Sequence, residues 1–250
     1  MDAVQFSLSG ENAFFKKPDV NTYYYFTYGQ IHKVALMGMF GAILGYNGYG
    51  QKTWTKTKKG QDLMEEYPEF YEKLKGIKVS IVPRNERGYI PKKVQFYNNS
   101  VGYASEEQGG NLIVKEQWLE NPMWDVYVML QDRVSEQLAK YLEEKRCVYI
   151  PYLGKNDHMA NIKNVRKVAL VEKQNYEGSI SSLYLKKNGT LGEVDDEDDI
   201  EVFKYEEKLP IRLNKFTNLY EYETFVYTNL PVTVKQGEIY QAENRILEFY

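Results

Sequence analysis

The chain has 250 residues, with 32 Lys+Arg against 35 Asp+Glu and a formal net charge of −3. At 43% hydrophobic and 27% charged it is neither a disordered tail nor a membrane protein. The longest apolar stretch, residues 34–44, is about half of the ~18–20 residues that a spanning helix needs.

Read in chain order, the N-terminal MDAVQFSLSGEN has no basic start, apolar stretch or cleavage site, so no signal peptide is expected and cytoplasmic residence is the default. Residues 3–8 alternate loosely and predict a strand that Ser9 and Gly10 end. Residues 10–29 predict a loop holding Pro18 and a tyrosine cluster, Tyr23, Tyr24, Tyr25 and Tyr28. Residues 31–45 predict a helix on which Gly38, Gly41, Ala42 and Gly45 share one smooth face. An interior glycine costs a helix about 1 kcal/mol, so this face is expected to pack closely on a sheet. Residues 47–60 are a Gly/Lys/Thr-rich loop. A second helix is predicted over 61–75, kinked or divided at Pro68 and stopped by Gly76. Strand signals follow at 77–82 and 93–98, then a turn-rich tip over 99–111 ending in Gly109-Gly110, then strands at 111–118 and 124–130. A helix over 131–146 carries Val134, Leu138, Tyr141 and Leu142 on one face. Strands are predicted at 147–151 and 165–171, and the remainder to Tyr250 is β-rich.

The order β, α, β, β, α, β up to residue 171 is the split βαβ arrangement. The expected class is α+β: a ferredoxin-like (RRM-like) palm over 1–171 with an insertion at about 47–92, then a β-rich C-terminal portion over 172–250. Such a fold serves many functions, so residues must decide among them.

Seven acids crowd residues 193–201, and without them the chain is +4. The remainder is mildly basic, with clusters at Lys16-Lys17, at Lys52/Lys56/Lys58/Lys59 and at Lys163/Arg166/Lys167. These suit either solvated faces or a local phosphate-binding groove. Tyr numbers 23 against 11 Phe and 3 Trp, which suits half-buried packing or stacking on unpaired bases.

A lone cysteine, Cys147, excludes an internal disulfide framework, and with only two histidines, His32 and His158, no zinc centre is expected. No metalloprotease, nucleophile-elbow, Walker or Rossmann motif occurs, and no cofactor is expected. The acidic run lacks the glycine and ligand alternation of a calcium loop. A metal-independent ribonuclease remains open: His32, Lys33, Tyr28 and His158 could move protons or steady a phosphorane. The best phosphate site is the start of the first helix, with free N–H groups, Lys33, the Phe15-Lys16-Lys17 loop and a permissive Gly29.

Three ordered segments carry a resemblance: Gly10-x-x-Ala13-x-Phe15-Lys16-Lys17-Pro18, then Gly38-x-x-Gly41-Ala42-Ile43-Leu44-Gly45, then Pro151-x-Leu153-Gly154-Lys155-Asn156. Together they resemble the Cas five family of CRISPR-associated proteins in the RAMP superfamily. The match spans residues 3–46 and 147–160, and the Tyr-rich Gly38/Gly41 form resembles the type I-B branch. Many relatives have prolines before the first helix, where this chain has Tyr28-Gly29-Gln30, and the acidic run has no counterpart in that pattern. The resemblance implies a non-catalytic subunit of a type I Cascade surveillance complex in antiviral defence, with a palm, a β-hairpin thumb at about 94–118 and the β-rich portion. It implies binding of the 5′ handle of CRISPR RNA and capping of a filament of Cas seven backbone subunits. It further implies contact with the large Cas eight type subunit, near target DNA at the PAM, and no membrane. The alternative it carries is the endoribonuclease of the type I-C branch, which processes precursor CRISPR RNA. The implied RNA-binding set is Phe15, Lys16, Lys17, Tyr28, His32, Lys33, Lys155 and Asn156.

Overall fold

The structure, a computed structural model, describes residues 1–20, 23–51, 67–193 and 201–250. In the first part of the chain, β1 (Asp2–Ser9) and the short β2 (Asn12–Ala13) precede helix α1 (Lys33–Leu44) and helix α2 (Glu69–Leu74). Strands β3 (Val79–Pro83), β4 (Lys92–Asn98), β5 (Ile113–Glu120) and β6 (Met123–Leu130) follow, then helix α3 (Arg133–Glu143) and β7 (Asn161–Ala169). Among the described residues the second part is strands, with one 3-10 turn at Lys186–Asn188: β8 (Val171–Glu172), β9 (Glu177–Gly178), β10 (Tyr184–Leu185), β11 (Gly189–Leu191), β12 (Lys204–Leu213), β13 (Tyr220–Thr228), β14 (Val232–Val234), β15 (Glu238–Ala242) and β16 (Arg245–Phe249).

The largest sheet runs β3-β6-β1-β7, with every neighbouring pair antiparallel. Its strands alternate faces at period two. Val4, Phe6 and Leu8 of β1 and Trp124, Val126 and Val128 of β6 enter one core with the helices. Ala3, Tyr127 and Met129 enter a second core against Tyr240, Leu247 and Phe249 of β15 and β16. Both faces being covered, β6 reads as a nearly continuous apolar run broken by Asp125, whereas β1 keeps an alternation in which Gln5 and Ser7 share the second face with Ala3. The architecture is mixed α and β, mostly antiparallel, with few helices.

Helix α3 starts with a reciprocal cap: Asp132 Oδ1 accepts the Ser135 N–H (2.8 Å), and Ser135 Oγ accepts the Asp132 N–H (3.1 Å). Helix α1 is instead apolar on nearly every side, because α2, α3 and β12 all pack on it. Its small residues do not press on the sheet as expected. Gly41 faces α2, where an added Cβ would lie 2.5 Å from Phe70 Cβ, whereas Gly38 faces open space with nothing within 4 Å. Gly45 closes α1 in the left-handed region at φ 82°, a conformation glycine adopts without strain.

Three further expectations change. Residues 147–151 form no strand: the Val148 and Tyr149 N–H groups donate to the Ile43 and Ala42 carbonyls (3.0 Å each), satisfying the end of α1. Helix α2 begins only after Pro68, which stands at its N-cap, so of the predicted helix only 69–74 forms among the described residues. The strand predicted at 165–171 begins earlier, at Asn161, and bulges between Gln5 and Ser7 of its partner. The lysines from 52 to 59, the first residues of the predicted 61–75 helix and residues 194–200 of the acidic run lie outside the described residues.

Candidate functional site: an aromatic cleft over α1

The N-terminal loop folds back on itself before α1. Lys17 N–H donates to the Phe26 carbonyl (2.8 Å), Tyr28 N–H donates to the Phe15 carbonyl (2.9 Å) and Phe15 N–H donates to Thr27 Oγ1 (3.0 Å). This pairing turns Phe15 inward, where it is 4% exposed and meets His32 and Trp124. Phe15 is therefore a core side chain rather than a ring offered to a base. The same pairing turns Lys16 outward, with Nζ 4.0 Å from the Tyr25 ring centroid.

His32 is the N-cap of α1. Its Nδ1 accepts the Ala35 N–H (3.2 Å), and the rings of Phe15, Tyr28 and Tyr220 surround it edge-on. Burial lowers its pKa to about 3, so the imidazole is neutral at physiological pH. It is a poor phosphate contact and a capping group rather than a proton donor.

Lys17, Tyr28 and Lys33 of the predicted set are engaged within the fold. Lys17 lies 3.3 Å from Glu207, whose carboxylate also accepts the Gly29 N–H (3.0 and 2.9 Å) and the Tyr205 hydroxyl (2.5 Å). Tyr28 is buried and hydrogen-bonds through its hydroxyl to that of Tyr222 (3.1 Å), and burial, then this bond, pushes its pKa up. Lys33 donates to the Tyr250 carbonyl (3.1 Å), and burial, then Lys78, brings its pKa down to about 8.

Lys155 joins the 151–158 turn to the β4–β5 hairpin. Its Nζ donates to Glu116 Oε2 (2.8 Å) and to the Tyr97 hydroxyl (3.2 Å), over the rings of Tyr97 and Trp118. Burial pushes the Glu116 carboxyl up, but donation by Lys155, Tyr97 and Trp118 outweighs it and holds the carboxyl below its usual range. Gly154, at φ 87°, lets this turn lie on Phe14, because a Cβ there would land on the Phe14 carbonyl. Asn156 is exposed at the turn. His158 is 4% exposed, stacked edge-on against Trp118, with both ring nitrogens unpaired and its pKa lowered by burial.

Between these parts lies a cleft of about 1030 Å³. Its floor is the open stripe of α1, made of Ala35, Gly38 and Ala42. One wall holds Phe14, Phe15, Lys16, His32 and Lys155. The end of α1 contributes Tyr46 and Tyr49, and the 149–152 segment contributes Tyr149 and Tyr152. The β12–β13 connection contributes Leu213, Asn218, Leu219 and Tyr220, the last meeting His32 edge-on. Of the predicted set the cleft brings together Phe15, Lys16, His32 and Lys155. Lys17, Tyr28, Lys33 and Asn156 are not among its lining residues, nor is His158. Sequence reasoning missed Tyr46, Tyr49, Tyr149, Tyr152, Asn218 and Tyr220. Tyrosine abundance flagged the residue type but not these positions.

An aromatic cleft with few ionic groups suits a flat, partly polar ligand held by stacking. No protein-family model and no curated protein matches the chain in sequence. Its fold does match solved structures. A chain of a CRISPR RNA-guided surveillance complex superposes with a TM-score of 0.51 at 13% identity, covering 93% of this chain and 91% of that one. A CRISPR protein from Archaeoglobus fulgidus superposes with a TM-score of 0.53 at 10% identity, covering 99% of this chain and 98% of that one. The chain thus has the fold of CRISPR-associated proteins over nearly its whole length, as the resemblance of its motifs leads one to expect.

Proposed function

We propose that this chain is a non-catalytic subunit of a type I Cascade surveillance complex, binding the 5′ handle of CRISPR RNA and capping the backbone filament. On this reading the β3-β6-β1-β7 sheet with α1 and α3 is a ferredoxin-like palm, the β4–β5 hairpin is the thumb, and the strands after residue 171 are the β-rich portion. The partners are the Cas seven backbone subunit and the large Cas eight type subunit, near target DNA at the PAM.

The observation that carries the reading is the aromatic cleft over α1, set in a fold that CRISPR proteins share from end to end. Unpaired RNA is recognised by stacking and by polar groups at base edges, and tyrosine-lined walls supply both. Lys16 is the basic residue of the predicted set that both faces outward and lines the cleft. The endoribonuclease reading loses support. Of its candidate groups His32, Lys33, Tyr28 and His158, the first is a neutral, buried cap and the other three do not line the cleft.

The test is a binding titration of labelled handle RNA with the full chain, beside a cleavage assay on repeat RNA in EDTA. Handle binding without cleavage is expected. Lys16→Glu should weaken binding severalfold and lower the salt slope by about one charge, as loss of one phosphate contact does. A discrete cleavage product would overturn the non-catalytic reading, and failure to bind the handle even with the backbone and large subunits present would overturn the handle reading.

A further inference from the structure

We propose that the cleft over α1 seats an unpaired adenine base whose edge is read by the side-chain amide of Asn218. This rests on the reading of the cleft as an RNA site and names the ligand chemistry it selects.

Asn218 stands at the end of the turn between β12 and β13 and lines the cleft. The residue is 9% exposed, and its Oδ1 and Nδ2, both covered in this conformation, have no hydrogen-bond partner, so the amide reads a base edge by turning outward into the cleft. Buried amides are almost always paired, so an orphan inside the wall of a cleft requires an account. The turn fixes its position. The Asn218 N–H donates to the Asn214 carbonyl (2.9 Å), and Asn214 Oδ1 accepts the N–H groups of Phe216 (3.0 Å) and Thr217 (3.1 Å). The backbone of Asn218 sits in the left-handed region at φ 53°, where asparagine is among the few favoured residues.

The surroundings fit a flat ring. Gly38 on the floor has nothing within 4 Å of where a Cβ would be, so the floor is open at that point. Tyr149, Tyr152 and Tyr220 line the cleft. An asparagine amide places one donor beside one acceptor. The N6–H and N7 of adenine present the complement, the pairing asparagine makes with both atoms at once. Lys16, which lines the cleft, and Lys215, exposed three residues before Asn218, are cations available to the flanking phosphates. The same base could arrive as a nucleotide of an RNA strand or as a free adenine nucleotide.

The experiment is fluorescence anisotropy on the full chain with labelled single-stranded heptamers of A, of U and of 7-deaza-adenine, with AMP as competitor. Asn218→Gly removes the amide while keeping the left-handed backbone accessible. Asn218→Asp keeps that backbone preference and removes the donor, so it reads the same contact should the glycine variant fail to fold. The wild type should bind the A strand about tenfold tighter than the U and 7-deaza strands. Both variants should bring the three within about twofold, with affinity for the U strand unchanged. Equal binding of all three strands, untouched by either variant, overturns the adenine site while leaving RNA binding in place. Binding of AMP that depends on Asn218, with no strand bound, keeps the base site and overturns its RNA source. No binding of strands or AMP overturns both.

Discussion

The two walls of the cleft are built from opposite materials. The N-terminal wall is rich in charged and titratable residues, and nearly all of them are engaged within the fold. His32 caps α1, Lys155 holds Glu116, and behind the wall Lys17 meets Glu207 and Lys33 meets the Tyr250 carbonyl. The wall formed by the β12–β13 turn has no conspicuous motif, yet it holds the orphan amide of Asn218 beside Leu219 and the 76% exposed Phe216. Residues that look functional in a sequence because they are charged also make the best cross-links between distant segments. Residues that can serve a ligand are those the fold leaves unsatisfied, and those are visible only once the fold is known.

The largest expected effect tests whether the first wall is committed to the fold. His32 has a folded-state pKa of about 3 against an ordinary value of 6.5. Between these values the unfolded chain binds a proton that the folded chain refuses. The stabilising contribution is therefore complete above about pH 6.5 and falls as the pH drops toward 3. The loss attributable to this one group is about 3 kcal/mol by pH 4. His158, lowered in the same direction, adds to it. His32→Asn keeps a capping side chain but cannot titrate. Denaturant unfolding at pH 7 and pH 4 should show the variant losing about 3 kcal/mol less than the parent over that interval. Equal losses would mean that His32 protonates within the folded chain and is open to solvent after all.

A smaller effect is expected where the wall meets the β4–β5 hairpin. Lys155→Met keeps the length and packing of the stem but leaves the buried Glu116 carboxylate with only the Tyr97 and Trp118 donors. The pair is partly screened, because a quarter of the lysine side chain is exposed, so a loss of about 2 kcal/mol is expected rather than the full cost of a buried ion pair. The melting temperature should fall while the U-strand affinity changes little. A large loss of RNA affinity with unchanged stability would instead make Lys155 a direct ligand contact, and the contrast between the walls would fail.

How much could be read from the sequence follows the same division. Strands β1 and β6, helix α3 and the β4–β5 hairpin were all legible, since each carries its own apolar pattern or its own turn residues. Residues 147–151 look like a strand because Val148, Tyr149 and Ile150 favour that conformation, yet two of their donors go to the end of α1, a contact about one hundred residues away in sequence. The start of α1 was recognised as a special position, and the cap at His32 fits that. Tyr28 and Tyr220 close over its imidazole from a loop and from the start of β13, segments that periodicity cannot relate. Asn218 had no local signal at all. One asparagine in a turn is ordinary, and only its burial without a partner sets it apart.

The smallest effect is the most discriminating, because stability and binding should move in opposite directions. Gly38 is an interior helical glycine on the open floor of the cleft, with room for a methyl group. Gly38→Ala should therefore stabilise α1 by about 0.5–1 kcal/mol, since alanine loses less backbone entropy and nothing has to move to receive it. The same methyl projects into the space assigned to the base. Affinity for the A strand should fall severalfold in a protein that melts higher than its parent. At Gly41, where the Cβ would press on Phe70, the corresponding change should lower stability instead. If Gly38→Ala stabilises the chain and leaves RNA affinity intact, the floor of the cleft is not where the ligand lies, and the orphan amide of Asn218 must serve something other than a base resting on α1.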